Sequence, residues 1–305
     1  MEVQTASDKV KLLKDKRVGI FGKGGSGKST AAILLARELS YNGYSVCILD
    51  ADSTNVGLPQ ALGLAKSPLA LIDYFGGMVF SGGSVTCPVD DPTPLAGAKI
   101  SLKHIPAEYY GHAEGIYLFT AGKIGDQGPG AGCDGPISKI ARDFSFQIEG
   151  EEVVTLVDFK AGFEDTSRGA ITSLDWAIVI VDPTYPAIEL AASMKQMVDR
   201  IKAGEPPATE HLKDPETVAL ANRIFREARI RGVLFILNRI KSREAESYLR
   251  ARLAEKGLEP SGIIHEDPAI ASSWLRGLPL DVTNRKQEAA RIIVELEAAA
   301  GAGTP

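Results

Sequence analysis

At 305 residues, with 44% hydrophobic and 24% charged content, the chain is long enough for one large α/β domain or two small ones and has the composition of a folded protein with a substantial core. A net charge of −5 argues against a dominant nucleic-acid surface, and no apolar run comes near the roughly eighteen residues of a membrane-spanning helix. Three cysteines without paired spacing fit a reducing, cytoplasmic compartment rather than a disulfide scaffold.

Residues 1–16 are charged, lack the apolar stretch of a secretory signal, and read as a frayed or helical extension. A single domain is expected over 17–300, with a short tail at 301–305. The apolar residues 18–21 predict a buried strand, and residues 31–36 predict a helix. Between them lies Gly22-Lys23-Gly24-Gly25-Ser26-Gly27-Lys28-Ser29-Thr30. Gly22, Gly27, Lys28 and Ser29 satisfy the phosphate-loop pattern G-x-x-x-x-G-K-[ST] in the strand–loop–helix setting it requires. Glycines let backbone N–H groups turn inward around phosphate oxygens, while the following helix directs its positive end at the same anion. Lys28 is expected to reach the β- and γ-phosphates, and the Ser29 hydroxyl to ligate Mg²⁺. Gly24, Gly25, Ser26, Gly27, Lys28, Ser29 and Thr30 are the expected nucleotide contacts.

Lys23 adds a second lysine, and the loop then resembles the deviant Walker A loop of the nitrogenase iron protein, plasmid-partition, septum-positioning and arsenite-pump ATPases. The resemblance implies that Lys23 crosses a dimer interface to the phosphates of the partner's ATP.

The helix should run to about residue 41, stopped by Asn42-Gly43, and the nearly all-apolar strand 45–50 should be covered on both faces, with Cys47 in the core. It ends in Asp50-Ala51-Asp52, two carboxylates at the carboxyl end of a strand beside the phosphate-loop strand, where open sheets bind ligands. In the resembling family a D-x-D here is the first switch, which implies that Asp52 orients the attacking water and Asp50 supports the Mg²⁺ ligands. Residues 68–115 are loop-rich, with strands possible at 100–105 and 116–121; Cys87, His104 and His112 in or near this stretch are assigned no metal.

Residues 122–135 are glycine-rich around Cys133. Such a loop allows close approach of a partner or an ion. It resembles the cluster loop of the nitrogenase iron protein and, more closely, the C-x-C loop of CooC-type nickel-insertion ATPases of carbon-monoxide dehydrogenase. Gly135 stands where the second cysteine of that motif would be, and no cysteine follows the next switch. A symmetric dimer would then offer two Cys133 thiolates, which excludes four-coordinate zinc held by cysteines alone. Cys133 is a candidate for Ni²⁺ or Zn²⁺ with other ligands; the alternative is a small residue in a partner-docking loop.

The apolar strand 153–157 ends at Asp158, a Walker B aspartate expected near Mg²⁺. Residues 158–169 resemble the second switch of CooC-type ATPases, with Lys160 in place of an acidic residue and Asp165 in place of a histidine. Gly162 is the expected hinge, and Arg168 is either a finger residue or one half of a helix-face ion pair. Another buried strand, at 177–184, leads into a helix over 185–202. Residues 204–215 predict a proline-rich loop before an amphipathic helix to 229. The strand at 233–239 carries Asn238, which the resemblance places at the nucleotide base. Arg239 and Lys241 break the N-K-x-D guanine signature, so ATP is expected over GTP. A last strand and loop follow at 262–270, and the final helix, 284–299, lacks the basic face of a membrane tether.

Alternating strands and helices with acidic residues at strand ends predict a doubly wound, mainly parallel sheet with helices on both faces. The resemblance covers residues 17–282 and implies a homodimer with ATP between protomers. It also implies a maturation ATPase that delivers nickel to a client metalloenzyme such as carbon-monoxide dehydrogenase. The alternatives are a partition or positioning ATPase that binds an adaptor or DNA, and an iron-protein-like reductase, the latter disfavoured by the missing cysteine. No membrane partner is expected.

Overall fold

All six residues of the first strand, β1 (Arg17–Gly22), are buried, because it runs through the middle of a sheet covered on both faces. The computed structural model describes residues 11–123 and 133–302. After β1 come α1 (Lys28–Tyr41) and β2 (Ser45–Ala51), then the single-turn helices α2 (Leu58–Ala61) and α3 (Leu71–Tyr74). Short strands β3 (Lys99–Ser101) and β4 (Gly111–Ala113) precede β5 (Ile116–Thr120), α4 (Gly135–Asp143) and β6 (Ser145–Gln147). Then follow β7 (Val153–Phe159), the single turn α5 (Glu164–Ser167), β8 (Trp176–Val181), α6 (Tyr185–Lys202) and α7 (Pro215–Arg226). The chain finishes with β9 (Gly232–Ile240), α8 (Arg243–Ala254), β10 (Pro260–His265), α9 (Pro268–Arg276) and α10 (Lys286–Ala302).

Eight strands form one sheet in the order β10-β9-β8-β1-β7-β2-β5-β4, and every pairing is parallel except that of β4 with β5. The order runs outward from β1 in both directions, which puts a ligand crevice at the carboxyl ends of the central strands. The predicted fold class is the observed one. On one face lie α1 and α10 with the apolar side chains of Ile33, Leu35, Ile292 and Leu296. On the other lie α4, α6 and α8, with Ile140, Met194 and Leu253 against Phe119, Phe144 and Phe159. Phe21 and Phe159, on neighbouring strands, stack with ring centroids 4.6 Å apart.

Four local expectations change. The strand read at 100–105 is only β3, which leaves the main sheet and pairs with β6 in a separate ribbon. The antiparallel edge strand β4 is too short to show a periodicity in sequence. The helix read to 229 ends at Arg226, and the final helix extends to Ala302. Residues 11–16, read as extension, include the fully buried Leu13, and the Lys16 carbonyl accepts the Thr155 N–H at 2.9 Å; residues 1–10 and 303–305 lie outside the described residues.

Candidate nucleotide site

The loop after β1 is shaped by its glycines and closed from below by Asn238. Gly27 adopts φ +94°, and a Cβ there would stand 2.3 Å from Asn238 Nδ2, so only glycine fits. Asn238, buried at the end of β9, donates from Nδ2 to the Ser26 carbonyl at 2.6 Å. Thus the residue expected at the base edge spends one amide hydrogen on holding the loop. A Cβ placed on Gly25 would meet nothing within 4 Å among the described residues, so the cradle is open there. The first turn of α1 has neither a side-chain cap nor an acidic residue, so its N–H groups remain available to an anion. Lys28 is buried at the base of this helix. Thr30 faces the other way: its Oγ1 accepts a hydrogen bond from Trp274 Nε1 at 2.9 Å. The edge of the same indole would lie 2.8 Å from a Cβ at Gly57, just beyond the first switch.

β2 and β7 are adjacent and in register, which makes Asp50 and Asp158 direct partners at the crevice. Both are fully buried. Burial, followed by the charge of Asp50, raises the Asp158 carboxyl to about 7. Asp50 is raised to about 6, again chiefly by burial, with Lys123 opposing. The Ser29 hydroxyl donates to Asp158 Oδ2 at 2.5 Å and accepts from Asn55 Nδ2 at 2.8 Å. Asp158 Oδ1 and Ser26 Oγ are buried without hydrogen-bond partners among the described residues. Two crowded carboxylates, one hydroxyl and orphaned oxygens beside a phosphate cradle fit Mg²⁺, a hard cation that takes oxygen ligands.

The D-x-D is split in role by its surroundings. Asp50 points into the sheet end, whereas Asp52 is half-buried, and its Oδ1 accepts from the backbone N–H and hydroxyl of Thr54 at 3.0 and 2.7 Å. Lys123, which the sequence reading left unassigned, reaches both: its Nζ is 2.7 Å from Asp50 Oδ2 and 2.6 Å from the Asp52 carbonyl. The only sequence signal was a lysine just past a strand that ends at the crevice. Lys23 lies within its own chain 3.5 Å from Asp182 Oδ2, at the end of β8.

The cysteine-bearing segment adjoins this site from the side of the second switch. Residues 124–132 of the glycine-rich loop lie outside the described residues; Cys133 is half-buried, and its Sγ accepts the Gly135 N–H at 3.4 Å. Both switch residues that depart from the CooC pattern contact α4. Lys160 pairs with Asp134 at its start, and the Ser138 hydroxyl donates to Asp165. Arg168 Nη1 lies 3.5 Å from Glu164, a pair one helical turn apart. Among the described residues no three or more His, Cys, Asp or Glu side chains are grouped to hold a metal ion; His112 stacks on Tyr117 with centroids 4.3 Å apart.

Known proteins agree with this architecture. An uncharacterized ATP-binding protein of Methanocaldococcus jannaschii is 34% identical over 188 residues, covering 61% of this chain and 74% of that protein. The carbon monoxide dehydrogenase accessory protein CooC of Rhodospirillum rubrum is 28% identical over 181 residues, 59% of this chain and 67% of that one. In fold, the chain is similar to MinD of Aquifex aeolicus in its complex with MinC, with a TM-score of 0.55, 17% identity, and 93% and 96% of the two chains covered. The septum site-determining protein MinD of Pyrococcus horikoshii, complexed with Mg-ADP, gives a TM-score of 0.55 at 18% identity over 95% and 98% of the chains. No helix among the described residues is long and apolar enough to cross a membrane. The family profile of the CobQ/CobB/MinD/ParA nucleotide binding domain (CbiA) matches residues 20–280, and this chain, with its phosphate loop over a buried aspartate pair, belongs to that family of ATP-binding proteins.

Proposed function

We propose that the protein is an ATP-hydrolysing homodimeric switch that serves as a maturation factor for a metalloenzyme, carrying a transition metal such as Ni²⁺ to a client such as carbon-monoxide dehydrogenase. The observation that carries this reading is the join between the two halves of the site. The second switch begins at Asp158 beneath the phosphate loop, and two residues later Lys160 grips Asp134, the neighbour of Cys133. A change at the γ-phosphate therefore has a short, charged path to the cysteine. The 28% identity to the CooC protein supports the same client class.

In this reading the loop N–H groups and Lys28 hold the phosphates. Ser29 and Asp158 would hold Mg²⁺ with Asp50 behind them, and the metal would supply positive charge against the phosphate oxygens. Asp52, tethered through one oxygen by Thr54, uses the other to orient the attacking water. Lys23 exchanges Asp182 for the partner protomer's nucleotide, where it supports charge developing in the transition state. ATP is the nucleotide expected, because Arg239 and Lys241 interrupt a guanine signature.

Anaerobic titration with Ni²⁺ and Zn²⁺, with and without ATP, on wild type and Cys133→Ala tests the reading. One ion per dimer, bound in one nucleotide state and lost in the variant, is the expected result. Absence of binding in every nucleotide state would sink the metal-carrying role and leave an ATP-switched dimer whose partner is an adaptor or DNA.

A further inference from the structure

Two sulfurs flank Gly135. Cys133 Sγ accepts its N–H at 3.4 Å, and Cys87 Sγ lies 2.6 Å from where a Cβ on residue 135 would stand. The thiol of Cys87 thus fills the space that a side chain at 135 would need. It comes from a separate turn, in which the Cys87 carbonyl accepts the Asp91 N–H at 2.9 Å. His211 Nε2 donates to the Val89 carbonyl at 3.0 Å, so the proline-rich insertion braces this turn from outside. Neither cysteine is in a disulfide. Asp134, next to Cys133, is 7% exposed, and its Oδ1 has no hydrogen-bond partner among the described residues.

Resting on the metal-carrying reading above, we propose that Cys87 and Cys133 together form the thiolate pair of a soft-metal site, the Cys87 sulfur standing in for the cysteine that residue 135 lacks. The surroundings favour a sulfur anion at Cys133: its Sγ accepts a backbone N–H, and it sits at the positive end of the nine-residue helix α4. Burial opposes this at Cys87 and raises its thiol, so the bound metal must drive off the proton. Each sulfur loses its S–H proton to solvent as its bond to the divalent ion forms; nothing is oxidised or reduced. Two thiolates are half of a tetrahedral set. A second copy of the chain supplies the other half, giving one ion per dimer and, with Cys87, the four thiolates that Cys133 alone could not provide.

The test uses Zn²⁺ as the probe, anaerobically, on the full chain with ATP. Variants are Cys133→Ala, Cys87→Gly, Cys87→Ser as a volume-preserving control for folding, and the double variant Cys87→Gly/Gly135→Cys, which moves the thiol to the vacated space. Wild type should bind one ion per dimer. Cys87→Gly and Cys87→Ser should each weaken binding by at least about 100-fold, beyond the usual effect of losing a group outside the ligands. The double variant should recover to within about tenfold of wild type. Alkylation followed by mass spectrometry should show Zn²⁺ shielding Cys87 and Cys133 together. Wild-type affinity in Cys87→Ser with loss in Cys133→Ala, or shielding of Cys133 alone, overturns the inference and leaves the metal-carrying role standing. No binding by wild type overturns both.

Discussion

Lys123 Nζ lies 2.7 Å from Asp50 Oδ2, so a lysine just past β5 neutralises a carboxylate buried at the end of β2. Removing it leaves that carboxylate unpaired in the sheet. Lys123→Met is expected to lower stability by about 3 kcal/mol at pH 8 without nucleotide. The loss should shrink by pH 5, because Asp50, already raised to about 6, then takes up a proton and no longer needs the counter-charge. Urea unfolding at the two pH values checks this, and Asp50→Asn in the Lys123→Met background should restore most of the loss.

Lys23 and Asp182 form an ion pair 3.5 Å long within one chain. If Lys23 serves the partner's nucleotide, Lys23→Ala should leave ATP affinity within a few-fold of wild type and cut turnover by roughly 100-fold, the usual effect of deleting one transition-state donor. Loss of ATP-dependent dimerisation, read by light scattering, should accompany it. Unchanged turnover would confine Lys23 to its Asp182 contact.

The parts of the site that sequence made legible are those where a buried apolar run stops at a charge. The ends of β1, β2 and β7 are of this kind, and the structure brings Gly27, Asp50 and Asp158 to one crevice. Asn238, at the end of another apolar strand, stands out only through the resemblance, and its amide bond to Ser26 depends on the packing of β9 beneath a distant loop. Lys123 is not legible because it meets Asp50, remote in sequence, and the packing of Cys87 against Gly135 likewise has no spacing to mark it. Helix α8 has no clear sequence signature, because only Leu249 and Leu253 of its twelve residues are buried, too few to stand out in a charged stretch. The ribbon of β3 and β6 is three residues per strand, below the length at which alternation shows.

Asp52→Asn should bind ATP and dimerise yet hydrolyse it about 100-fold more slowly, trapping the nucleotide-bound dimer. Thr54 can still donate to the remaining carbonyl oxygen, so the local turn is kept. Single-turnover hydrolysis beside nucleotide affinity separates chemistry from binding; equal loss of both would place Asp52 in binding instead.

Asp165 is a stability prediction independent of ATP. Burial raises its carboxyl to about 6, opposed by the Ser138 hydrogen bond and Arg168, and reinforced by Asp134 and Glu164. The folded protein therefore holds this proton more tightly than the unfolded chain. The resulting stability is fully present below about pH 4 and is lost as pH rises through 6. Asp165→Asn, which keeps an acceptor for Ser138, should match wild type at pH 4 and exceed it by on the order of 2 kcal/mol at pH 8. Thermal unfolding across that range measures the difference between the two curves.

The indole of Trp274 touches Thr30 in the phosphate-loop helix and crowds Gly57 beyond the first switch. The chain has two tryptophans, and the other, Trp176, is sealed within β8. The molecule therefore contains its own optical gauge. Emission from Trp274 should change as nucleotide rearranges its neighbours, while Trp176 supplies a steady background, so the switching cycle can be followed in unlabelled protein in real time.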